Sequence, residues 1–237
     1  MERRTPVFIV TSSRPRVGKT LIARALTEYF SAQKRLVQGF DVNPDDFKMA
    51  DHLPGYTAPA SINDTRGEVE LFDQLILDDQ VPKVVDLGHL AFDRFFSVMR
   101  HIGFESELRR RPVAPVVLYL ADVDERARQG YGMLYDRFEF LPLVPLFNEY
   151  LPQIDRCRAL FPSTRVGGDP ISIPALTPVV RSVVDRRHFS FISYVQKTND
   201  STSELFGWMR RLFISFREVE VRLLLGEIAP QQLQHSA

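Results

Sequence analysis

Apolar and polar positions change their rhythm sharply within the first thirty residues. Residues 6–11 are apolar and β-branched and stop at Ser12 and Ser13, which predicts a buried first strand ending in a turn. From Lys19 onward Leu21, Ile22, Ala25, Leu26, Tyr29 and Phe30 recur at helical spacing, with Arg24, Thr27 and Glu28 on the other face, so a helix follows directly. A second strand is predicted over residues 36–41, then a polar stretch bearing Pro and Gly to about Arg66, a helix over 68–77 and a third strand over 84–87. Apolar runs at 116–121 and 141–147 predict two more strands flanking a helix at 124–135, and 171–176 a last short one. The apolar spacing over 203–225 predicts a C-terminal helix, and 229–237 reads as a loose, flexible tail. Strands that alternate with helices need crossover connections, so the expected fold is α/β, with a mostly parallel central sheet flanked by helices.

Composition narrows this picture. With 237 residues, 44% hydrophobic and 25% charged, the chain can bury one substantial core, and residues 1–228 are read as a single domain. Thirty basic and thirty acidic residues cancel, so no whole-molecule field draws the protein to nucleic acid or anionic membrane. Cys157 is the only cysteine, which excludes an intramolecular disulfide framework and fits a cytoplasmic setting. The apolar run after Arg3 and Arg4 is too short for a signal-peptide core, and no later run approaches a membrane span. The five histidines are scattered and suggest no metal site.

Chemistry concentrates between the first strand and the first helix. Residues 12–20 read Ser-Ser-Arg-Pro-Arg-Val-Gly-Lys-Thr, ending in the Gly-Lys-Thr of a P-loop and standing where that motif belongs. Such a loop cradles phosphates with backbone N–H groups at a helix N-terminus, Lys19 reaching the outer phosphates and the Thr20 hydroxyl holding Mg²⁺. A P-loop NTPase-like fold is therefore expected.

The loop resembles the deviant Walker A loop of the ParA/MinD family, in which a lysine and two glycines precede Val-Gly-Lys-Thr. Val17, Gly18, Lys19 and Thr20 match; Arg14 stands at the signature lysine, Pro15 and Arg16 at the two glycines, and Ser13 at the first glycine of the general P-loop. Fewer glycines and one fewer N–H donor predict weakened nucleotide affinity. Residues 39–45 resemble the family's second-strand motif through Asp41 and Pro44, with Asn43 at the second acidic position. An amide orients water but does not take its proton, so slow hydrolysis is expected. A solvated turn is the alternative for 41–46. Residues 84–88 resemble the family's third-strand end, where Asp86 would hold Mg²⁺, a hard cation suited to oxygen ligands; a helix N-cap is the rival role. Asn148, after an apolar strand, stands where the family meets the base, and residues 173–175 resemble the base-side loop.

What the resemblance implies is ATP (or ADP) and Mg²⁺ held by Ser13, Arg14, Arg16, Val17, Gly18, Lys19, Thr20 and Asn148, with Thr20, Asp41 and Asp86 as the metal set and Lys19 and Asn43 in catalysis. It also implies a homodimer around two nucleotides, Arg14 or Arg16 crossing to the partner's phosphates, and a partner protein that regulates the switch. Such proteins position plasmids or cellular assemblies. A non-hydrolysing scaffold of the same fold and an ATP-dependent small-molecule ligase or kinase are the other readings. Arg109 to Arg111, with Arg186 and Arg187, read either as non-specific DNA contacts or as a solvated surface. The aromatic stripe from Leu205 to Phe216 is read as core packing rather than as a membrane anchor, since apolar positions continue at Val219 and Leu223.

Overall fold

The structure is a computed structural model describing residues 4–43, 48–161 and 170–233, with side chains to Leu223. Seven strands form one sheet: β1 (Thr5–Thr11), β2 (Gln38–Val42), β3 (Thr57–Pro59), β4 (Lys83–Leu87), β5 (Val113–Leu120), β6 (Leu143–Asn148) and β7 (Ile171–Ile173). Their order is β3-β2-β4-β1-β5-β6-β7, and every pairing is parallel. The helices are α1 (Lys19–Ala32), α2 (Lys48–His52), α3 (Thr65–Leu75), α4 (Phe92–His101), α5 (Phe104–Arg110), α6 (Glu125–Arg137), α7 (Ile154–Leu160), α8 (Pro178–Val184), α9 (Phe191–Thr198) and α10 (Glu204–Leu233).

The two-residue period of the strands divides the core into two layers. Val7 and Ile9 face one cluster with Phe72 of α3, Phe95 of α4 and Leu134 of α6. Phe8 and Val10 face the other, with Ile22 and Leu26 of α1, Phe191 of α9 and Trp208 of α10. Central strands covered on both faces read as continuous apolar runs, as β5 does, where all eight residues are buried. Two prolines nevertheless lie inside strands. Val117 N–H donates to Pro142 O, on the β6 side, so the missing N–H of Pro115 falls on that same side before the β6 ladder begins at Val117. Pro145 is placed alike: Glu149 N–H donates to Ile173 O of β7, and the β7 ladder starts only at Leu146.

The expected α/β sheet is present, with differences at its margins. The polar stretch before Arg66 contains α2 and the edge strand β3, and α4, α5, α7, α8 and α9 add helices that the apolar rhythm did not resolve. The last strand ends at Ile173 rather than at 176, because Pro174 and the residues after it lead into α8. α10 continues to Leu233, through much of the stretch read as a tail. Its apolar side is core: Leu205, Trp208, Leu212, Phe216 and Val219 are buried against α1 and the sheet, each worth about 1.5–3 kcal/mol of transfer free energy. Glu220 fixes the register of α10 on α1, accepting from Tyr29 Oη at 2.6 Å and Arg35 Nη1 at 2.9 Å. Among the described residues no helix is long and apolar enough to cross a membrane.

Candidate functional site: a phosphate loop beside a carboxylate corner

β1 lies where the strand order reverses, between β4 and β5, and its carboxyl end opens into residues 12–18. Crevices of this kind are where open parallel sheets accept ligands. Gly18 has φ +104° and caps α1 with no side-chain hydrogen bond, leaving the first N–H groups of the helix for an anion. Arg16 has φ +60°, a left-handed conformation that costs a non-glycine residue about 1 kcal/mol. The loop thus keeps a glycine-like path at residue 16 without the glycine.

Side chains from outside the loop supply what the glycines do not. Ser13 Oγ donates to Arg126 O at 2.7 Å and lies 3.0 Å from Tyr119 Oη, which donates to Ala127 O at 2.7 Å. The close approach of α6 depends on Gly130, where a Cβ would stand 2.5 Å from Ser13 Oγ. Asn148 Nδ2 donates to Val17 O at 2.9 Å, and Asn148 Oδ1 accepts from Tyr150 N. Arg14 pairs with Asp124 at 3.3 Å. Lys19 Nζ donates to Arg14 O at 2.6 Å and so folds back across the loop. Burial lowers the Lys19 ammonium to about 8, against the opposing pull of Asp86.

The second half of the site is set by strand register. β2 and β4 pair so that Asp41 stands beside Asp86, both fully buried. Asn43 lies between them: its Nδ2 donates to Asp41 Oδ1 at 2.6 Å, to Asp86 Oδ2 at 3.2 Å and to Asp86 O at 3.2 Å. Asp41 Oδ2 accepts from Ala50 N at 3.0 Å and anchors α2. Burial, then the neighbouring Asp41 charge, pushes the Asp86 carboxyl up to about 7, while Thr20, Lys19 and Asn43 act the other way. Thr20 is near enough to favour the charged carboxylate, yet no hydrogen bond reaches the buried Asp86 Oδ1. An orphaned carboxylate oxygen beside a helix-start hydroxyl and a second carboxylate fits a hard divalent cation such as Mg²⁺. The rival N-cap role for Asp86 has no helix to serve, since α4 starts at Phe92 with Ala91 at its cap. Asp41 belongs to β2, not to a turn; Pro44, Asp45 and Asp46 lie outside the described residues.

Loop and corner therefore bring together Ser13, Arg14, Val17, Gly18, Lys19, Thr20, Asp41, Asn43, Asp86 and Asn148, with Arg16 exposed at the loop's outer edge. Asn148 backs the loop from behind, with its amide turned to Val17. Tyr119, Asp124 and Gly130 escaped the sequence reading; the helical run 124–135 holds two glycines, Gly130 and Gly132, and only Gly130 faces Ser13. The basic clusters are largely neutralised: Arg109 pairs with Glu105, Arg110 and Arg111 with Glu107, and Arg187 with Asp51. A cleft of about 330 Å³ adjoins the loop, between Arg14, Arg16, Asp122, Asp124 and Leu151. A groove of about 1560 Å³ runs along α1 and α10 and reaches Pro6 and Ala114, near the opposite ends of β1 and β5. It lacks a phosphate-binding loop, and the smaller cleft lies nearer the chemistry.

The candidate site is thus a loop between a parallel strand and the uncapped start of a helix, beside two paired carboxylates. No protein-family model matches the chain, and no curated protein matches it. Among solved structures it is similar to the MinD cell division protein of Aquifex aeolicus, at TM-score 0.49 and 11% identity over 90% of this chain and 97% of that one. It is likewise similar to the MinC:MinD cell division protein complex of the same organism, at TM-score 0.49 and 11% identity over 90% and 96%. Function rests on the chemistry of the site itself.

Proposed function

We propose that the chain binds ATP or ADP with Mg²⁺ and works as a nucleotide switch of the ParA/MinD kind. In this reading ATP holds a homodimer that positions DNA or a cellular assembly under the control of a partner protein. The observation that carries the reading is the convergence of the uncapped start of α1, the buried Lys19 and the unpartnered Asp86 Oδ1. The α1 N–H groups and Lys19 would hold the outer phosphates, Lys19 exchanging Arg14 O for a phosphate oxygen. Thr20 and Asp86, with Asp41 behind, would hold Mg²⁺, which supplies charge neutralisation at the phosphates when bound. Hydrolysis is slow, because the Asn43 amide is engaged by two carboxylates and has no basic atom to take a proton from water.

A second reading, a non-hydrolysing scaffold, is favoured by the folded-back Lys19 and by Pro15, which offers no N–H to an anion. Calorimetry with MgATP followed by turnover, in wild type and Lys19→Ala, separates the two. Binding that falls by roughly tenfold or more in Lys19→Ala supports the switch, since a charge-assisted contact is lost. No binding to wild type leaves the scaffold in front. Self-association of wild type and Arg14→Ala, each with and without ATP, tests the dimer: Arg14 must leave Asp124 to cross, and equal association in all four samples counts against it.

A further inference from the structure

The residue two places after Asn148 has an unusual setting. Tyr150 is 52% exposed, and the Arg181 guanidinium of α8 sits 3.9 Å from its ring centroid. A large aromatic half open to solvent with a cation stacked on it is a polarised face, suited to another flat π-system. Its position is equally specific. Tyr150 N donates to Asn148 Oδ1, and Asn148 Nδ2 donates to Val17 O of the phosphate loop. Leu151, next to Tyr150, lines the cleft beside Arg14, Arg16 and Val17, so the stacked pair stands close to the loop.

Asn148 cannot serve as the reader of a base on that surface. Its side chain is buried, its oxygen is committed to Tyr150 N and its nitrogen to Val17 O. Turning the amide outward would leave Val17 O and Tyr150 N without these partners.

We propose that Tyr150, backed by Arg181, is a stacking platform for the nucleotide base, and that it holds purine bases without distinguishing them. This rests on the nucleotide-binding reading and adds to it a base subsite that works by stacking in place of hydrogen-bond recognition. Stacking accepts any base because every base has a π-face. Arg181 keeps the ring in place and is itself steadied by Asp185 at 3.7 Å.

The test is calorimetric titration of the full chain with MgATP, MgGTP and magnesium tripolyphosphate, in wild type, Tyr150→Ala and Tyr150→Phe. ATP and GTP are expected to bind wild type within about threefold of one another, and Tyr150→Ala to weaken both by roughly tenfold, the loss of one stacked base. Tyr150→Phe keeps the ring and restores affinity, while tripolyphosphate, which has no base, binds all three proteins alike. Unchanged nucleotide affinity in Tyr150→Ala, or a wild-type preference above about tenfold for one purine, overturns the platform and leaves the phosphate site standing. Tripolyphosphate binding with no gain for ATP does the same. If wild type binds neither nucleotide nor tripolyphosphate, the nucleotide reading falls and the platform with it.

Discussion

The phosphate loop and the carboxylate corner lie at the same end of the sheet, yet they are held in shape by opposite means. In the corner, geometry follows from pairing alone: the β2–β4 register puts Asp41 beside Asp86, and Asn43 spans the two from the strand's own end. In the loop, the hydrogen bonds from Arg14 N to Ser12 Oγ and from Lys19 Nζ to Arg14 O are internal, and the other supports come from elsewhere in the chain. Arg16 takes a glycine's conformation, and the path is held from outside by Tyr119, the α6 carbonyls and Asn148. A site built on register loses function through charge; a site built on props loses it through packing. Substitutions in the two regions are therefore expected to fail differently.

The largest effect is expected in the corner. Asn43→Asp puts a third carboxyl between two buried ones and removes the donors they share, at a cost of about 3 kcal/mol in urea unfolding at pH 8, part of it returned by millimolar Mg²⁺. Stability equal to wild type would mean that the corner is wetter than its burial implies. Next comes the prop: Gly130→Ala drives a methyl against Ser13 Oγ and Tyr119 Oη and should cost about 1–3 kcal/mol. It should also weaken phosphate binding, whereas a variant that binds normally would show that the loop keeps its path without α6.

His52 on α2, the helix that Asp41 anchors, gives a smaller and pH-dependent effect. Burial, then Arg24, lowers its imidazole to about 4, and its Nδ1 is buried without a partner. The unfolded chain therefore binds the proton more readily between pH 6.5 and 4, and stability falls as pH drops through that window. With part of the side chain exposed, the loss should be about 1–2 kcal/mol, and His52→Gln should flatten that part of the profile. The smallest effect belongs to Arg14→Ala. The Arg14–Asp124 pair is only partly buried and open to solvent screening, so unfolding free energy should move by less than about 1 kcal/mol, and a larger shift would make Arg14 a prop of the loop.

The same contrast decides what the sequence revealed. Strands β1, β4 and β5 were legible as short, largely apolar runs bounded by turn residues, and helix α1 by the helical recurrence of its apolar positions. The edge strand β3 has three residues with one buried side chain, too little for any periodicity. Helix α4 spaces Phe92, Phe95, Phe96 and Met99 along one face with polar residues between them, an amphipathic period already present in the sequence. The corner was visible as Asp41, Asn43 and Asp86 through the resemblance of residues 39–45 and 84–88 to the ParA/MinD strand-end motifs. The props were not. Tyr119 looks like any aromatic in a buried strand, and its hydroxyl meets Ser13 only when residues 106 apart are folded together.

The central position of β1 also dictates when the site can exist. Val7 pairs with Lys83 and Thr5 with Val113, so the strand that leads into the loop is synthesised before both of its neighbours and must wait for them. Until then Phe8, Ile9 and Val10 have no sheet to enter, and closing such distant pairs is slow. Nascent chains that end before β5 should expose this segment as a chaperone-binding or aggregation-prone stretch and bind no phosphate.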